Sequence, residues 1–162
     1  MEKMKVGYEA SLNDYIDQKK NAVELINSIG HLMFDKGVEL VFFRNHMVDV
    51  SISELLNLFE YAKNVVGKPL EINQVNDIVI KLRDLDLAPS KIDIGKLSHQ
   101  FLDSNDKSSI AEFLNTELSG FIGQENHNFS PQDVILYGFG RIGRIAAREL
   151  IRQAGKGQQL RL

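Results

Sequence analysis

Asp133-Val134-Ile135-Leu136-Tyr137-Gly138-Phe139-Gly140-Arg141-Ile142-Gly143-Arg144 is the stretch on which the fold of this chain turns. A short apolar run meets Gly-x-Gly-x-x-Gly and passes directly into a helical pattern from about Arg141 to Ala154. Strand, glycine turn and helix in that order form the local context of a dinucleotide-binding βα unit. Each glycine has its own role there. Gly138 permits the tight turn out of the strand, Gly140 lets the backbone approach a pyrophosphate, and Gly143 lets the helix pack closely on the strand. The free amides and the positive dipole end of the helix hold the phosphates.

Working outward, Gly155-Lys156-Gly157 closes that helix and Leu160-Arg161-Leu162 opens a second strand. On the other side, residues 124–132 are polar, carry Asn126, Asn128, Ser130 and Pro131, and read as a linker. The first 123 residues have a different character. Ser11-Leu12-Asn13-Asp14 offers a capping-box-like start, Leu12, Ile16, Val23, Ile26, Ile29 and Met33 recur at helical spacing, and Gly37 supplies a stop. Val38 to Phe43 fits a buried strand or another helical turn, and its helical neighbours favour a short helix.

Ser51-Ile52-Ser53-Glu54 starts a second long helix that ends at Gly67 and Pro69. Asn73, Asp93 and Asp106 are the expected caps of three more, the last carrying Ile110, Phe113, Leu114, Leu118 and Phe121 and stopping at Gly123. The expected fold class is therefore mainly α. An all-helical bundle spans 1–123, a linker spans 124–132, and an incomplete Rossmann-type βα unit spans 133–162.

Composition bounds the function. With 43% hydrophobic and 25% charged residues, the chain falls in the soluble globular class, and no apolar run approaches the roughly 20 residues of a membrane span. The start has no apolar secretory core and the chain has no cysteine, so a cytoplasmic location is expected. The missing cysteines also remove any thiol nucleophile or thiolate metal ligand. A net charge of −3 argues against nucleic acid or an anionic membrane as partner. Its distribution is uneven: residues 133–162 hold six bases and two acids, or +4, which leaves −7 for the first 132.

Other polar groups suggest less chemistry. Arg141, Arg144, Arg148 and Arg152 share one helix face, and a solvated face accounts for them. The four histidines, at 31, 46, 99 and 127, lack metal-ligand spacing. Arg44-Asn45-His46 beside Asp49 reads as a polar turn that satisfies backbone groups. Ser98 beside His99 has no third partner for a catalytic triad.

The string Gly138-Phe139-Gly140-Arg141-Ile142-Gly143-Arg144, with Ile135-Leu136-Tyr137 before it, resembles the amino-terminal nucleotide-binding turn of glyceraldehyde-3-phosphate dehydrogenases. The resemblance covers about the last thirty residues, and the helical part looks like the extra amino-terminal region of a longer bacterial subgroup. It implies an NAD or NADP cofactor whose pyrophosphate lies along Phe139 to Ile142, with Arg141 and Ile142 contributing backbone amides beside Gly138, Gly140 and Gly143. It also implies a homo-oligomeric full-length oxidoreductase that converts an aldehyde to an acyl phosphate through a cysteine, a histidine base and hydride transfer. None of those catalytic positions lies in this chain, so the fragment itself is expected to be inactive. The acidic residue that binds the adenosine ribose belongs roughly 20 residues beyond the turn, where Lys156 to Leu162 offers no Asp or Glu. The alternative, from another class, is a stand-alone helical interaction or regulatory module that keeps only a remnant of the dinucleotide turn.

Overall fold

The structure is a computed structural model that describes residues 2–104, 109–123, 132–152 and 160–162. It is mainly α, with six helices among the described residues, and one small sheet inside the helical unit.

The first helix, α1, runs from Glu2 to Lys36 and so begins well before the expected start at Ser11. Ser11 does not cap it; its hydroxyl donates to the Gly7 carbonyl at 3.0 Å, inside the helix. Gly37 ends it in the left-handed conformation that costs glycine little, with φ 71° and its amide bonded to the Met33 carbonyl. The apolar spacing that predicts one stripe is split in space. Ala22, Leu25, Ile29 and Leu32 are fully or almost fully buried, whereas Leu12, Ile16 and Val23 stay exposed.

Residues 38–43 correct the expectation of a short helix. Val38–Phe42 is strand β1, paired antiparallel with β2 (Asn45–His46) and parallel with β3 (Ser90–Asp93), in the order β2-β1-β3. The 1–123 unit is therefore not all helical. Two helices lie in the crossover between β1 and β3: α2 (Ile52–Val66) and α3 (Ile72–Asp84). Central in the sheet, β1 buries Val38, Leu40, Val41 and Phe42, which explains its nearly continuous apolar run.

Phe43 and Arg44 form the two-residue turn of the β1–β2 hairpin, both at positive φ, 46° and 70°. That left-handed pair matches the twist of the flanking strands but strains non-glycine residues. Asp93 holds it. Its carboxylate accepts the amides of Phe43 (3.0 Å) and Arg44 (3.2 Å), and also caps α4 (Ile94–Asp103) by accepting from Lys96 N–H at 3.2 Å. A Cβ on Gly95 would stand 2.8 Å from the Phe43 ring, so the turn and α4 need glycine at their contact.

Ser51 and Glu54 form the predicted capping box of α2, which ends at Gly67 with φ 71°. α3 starts earlier than predicted: Glu71 is its N-cap without a side-chain bond, and Asn73 lies inside the first turn, accepting from Gln74 N–H. At its other end, the Lys36 ammonium donates to the carbonyls of Arg83 and Leu85 at 2.5 and 2.7 Å. The expected cap Asp106 lies outside the described residues; Ser109 and Glu112 form a capping box on α5 (Ile110–Glu117). Leu25, Leu32, Phe42, Leu55, Ile78 and Ile94 are among the fully buried side chains at the centre of the core.

Of the expected linker, residues 124–131 lie outside the described residues, and Gln132 is already in a strand. Strand β4 (Gln132–Asp133) pairs in parallel with β5 (Leu160–Arg161), the predicted second strand, and α6 (Arg141–Arg152) lies between them. β4 is shorter than the predicted 133–137. A ladder needs a partner, and β5 pairs only Gln132 with Leu160 and Asp133 with Arg161.

Candidate functional site

The glycine turn bends as its sequence requires. Gly138 sits at φ 95°, a region that side chains rarely adopt. A Cβ on Gly143 would lie 2.3 Å from the Gly138 carbonyl oxygen, which no real contact tolerates. Gly143 is therefore the point where the helix meets the turn backbone, as its place in the motif predicts. Gly140 differs: a Cβ there meets nothing within 4 Å. Its missing side chain leaves open space over the backbone.

That space belongs to an open hollow of ≈ 610 Å³. Gly138, Gly140, Arg141, Ile142 and Gly143 line it, joined by Leu136, Tyr137 and Ala146. Phe139 is not among the lining residues, and its side chain is exposed. Leu136 and Tyr137 close the strand side and Ala146 stands one turn into α6. Sequence reading did not single out these three, although their positions just before and one turn after the motif were a usable signal.

The hollow faces the start of a 12-residue helix. Arg144 N–H donates to the Gly140 carbonyl at 3.0 Å. By helix geometry the amides of Arg141, Ile142 and Gly143 come too early for an acceptor within α6, the arrangement found where helix N-termini meet anions. Arg141, Arg144, Arg148 and Arg152 are all exposed, whereas Ala147 is 4% exposed. Converging amides, a dipole end, an open glycine and nearby cations suit a pyrophosphate. The donor set fits the phosphate portion of a dinucleotide. Residues 150–162 supply no Asp or Glu for the ribose portion.

The remaining polar groups do not converge on this hollow. Asn45 donates from its amide to the carbonyls of Phe42 and Phe43, so Arg44-Asn45-His46 serves the hairpin turn. His46 and Lys91 both meet Glu39, at 2.8 and 3.1 Å. Ser98 is fully buried in α4. Among the described residues no three His, Asp or Glu side chains gather as a metal site. No helix of the described residues is long and apolar enough to cross a membrane.

No family model matches the chain. It is similar to a protein of Pseudomonas aeruginosa (strain UCBPP-PA14) named glyceraldehyde-3-phosphate dehydrogenase-like protein, with 30% identity over 141 residues. The match takes in 85% of this chain and 31% of that protein, so the chain spans about a third of the relative's length. Residues 133–162 supply at most thirty positions. Most of the aligned positions therefore fall before residue 133.

Proposed function

We propose that this chain is the amino-terminal part of a glyceraldehyde-3-phosphate dehydrogenase-like oxidoreductase, in which residues 132–162 begin the NAD(P)-binding domain and the helical unit is an accessory region. The carrying observation is the turn itself: a left-handed Gly138, Gly143 against the Gly138 carbonyl, and open space at Gly140 beside the first amides of α6. Similarity to about a third of a longer protein bearing that family's name supports the same reading.

In this proposal the cofactor supplies the hydride acceptor, and the chain's own residues bind and orient its phosphates. The amides of Arg141, Ile142 and Gly143 donate to phosphate oxygens, Gly140 admits the backbone to within hydrogen-bond distance, and the arginines of α6 add positive potential. The cysteine nucleophile comes from elsewhere in the whole enzyme, since this chain has no cysteine. The exposed Ile135, Tyr137, Ile142 and Ile145 form the kind of apolar surface that further strands and helices of a complete domain cover. A cytoplasmic location goes with this reading.

The test begins with the mass of the product from the native locus. A product near 18.3 kDa refutes the proposal. A longer product should reduce NAD(P) when given the phosphorylated aldehyde and inorganic phosphate, and the 162-residue chain should not. Gly140→Ala in the long protein should then weaken NAD(P) binding at least about tenfold, roughly 1.4 kcal/mol, without changing its unfolding midpoint. Unchanged affinity would remove the turn from the site.

A further inference from the structure

The first helix carries a second apolar stripe that the core does not use. Residues 7–17, 19 and 20 are exposed, and burial begins in earnest only at Ala22. Tyr8, Leu12, Tyr15, Ile16, Val23 and Phe34 are 70%, 42%, 49%, 40%, 54% and 56% exposed. At about 100° per residue they share one face, turned by roughly 100° from the face of Ala22, Leu25, Ile29 and Leu32 that meets the core. From Tyr8 to Phe34 the stripe is about 39 Å long. Gly30 lies on it, and a Cβ there would meet nothing within 4 Å.

We propose that this stripe is the interface of a homodimer in which α1 of one copy packs antiparallel along α1 of a second. Area supports a second copy as occupant. Six large side chains about half exposed offer roughly 100 Å² each, or about 1,200 Å² over two copies, which reaches the lower bound of a stable interface. A two-fold axis near Asn21 sets Tyr8 against Phe34 of the other copy, Leu12 over the open surface of Gly30, and Ile16 against Ile26. The antiparallel direction follows from these pairings, which set Leu12 over the open surface of Gly30. In the single chain the Lys19 ammonium sits 4.6 Å from the centre of the Tyr15 ring, its stem lying within the stripe.

The chain has no cysteine, so the geometry can be read by cross-linking. Light scattering of the 162-residue chain should give twice 18.3 kDa. Leu12→Glu with Ile16→Glu should weaken the dimer at least about tenfold. The unfolding midpoint measured below the dimer's dissociation constant should not move, because neither residue is in the core. Tyr8→Cys with Phe34→Cys should give a covalent dimer under mild oxidation, while Tyr8→Cys alone should not, its two copies lying about 39 Å apart. A monomer across the concentration series overturns the proposal, and one that then sediments with anionic vesicles assigns the stripe to a lipid surface. A dimer that survives the glutamates, or cross-links through Tyr8→Cys alone, also overturns it.

Discussion

Replacing Asp93 by alanine should destabilise the helical unit by about 2–3 kcal/mol. The magnitude follows from three hydrogen bonds made by one carboxylate. The bond to Lys96 N–H is an N-cap of α4, worth about 1 kcal/mol. Those to Phe43 and Arg44 hold a turn of two non-glycine residues at positive φ, and about 1 kcal/mol apiece is the ordinary net value of such bonds in a half-exposed site. Losing them also frees the turn from a left-handed conformation that costs roughly 1–2 kcal/mol per residue. Asp93→Asn should lose about half as much, since one oxygen still accepts. Ser51→Ala supplies the control: it removes an N-cap alone and should cost about 1 kcal/mol. Urea unfolding followed by far-UV circular dichroism measures all three, with the slope unchanged if only the folded state is affected. An Asp93→Ala loss no larger than that of Ser51→Ala would refute the claim that this carboxylate ties the hairpin to α4.

Acid should weaken the two capping boxes. The backbone amide of Ser51 first, and its hydroxyl second, hold the Glu54 carboxyl below its ordinary value of 4.5, and Ser109 does the same for Glu112. A lowered folded value means that the stabilisation is complete above 4.5 and is lost as the pH falls through the folded values; Glu54→Gln with Glu112→Gln should flatten the acid side of a stability-against-pH curve. Gly143→Ala should loosen the turn locally, by about 1–3 kcal/mol, because the new Cβ meets a backbone carbonyl that has no rotamer to escape into. Hydrogen exchange should quicken in α6 while the amides of α3 keep their protection, and equal protection in α6 would contradict the close contact at Gly138.

Particular elements show which features were legible before folding. Ser51 with Glu54 and Asp93 were readable as caps because a cap is a bond between residues three apart, and the same locality made the two stops at Gly37 and Gly67 readable. Asn73 failed for the same physical reason: a residue of capping type two places inside a helix carries no mark of its offset. Val38 to Phe43 was ambiguous because five apolar residues suit a helix or a buried strand equally. What decided it is β3, whose Ser-Lys-Ile-Asp sequence, about fifty residues away, is barely strand-like by itself.

The sequence by itself determined the starts of α2 and α4, the mainly α class, and the glycine turn, because a cap acts over three residues, the three glycines act over six, and neither needs a distant partner. Tertiary structure alone decided that β1 is the middle of a sheet, that Asp93 serves a hairpin as well as a helix, and that α1 has two apolar faces. One face of α1 is buried by elements contributed from across the fold and the other is left in solvent. Helical spacing records that a residue is apolar, but only the packed chain settles which apolar residues find something to cover them.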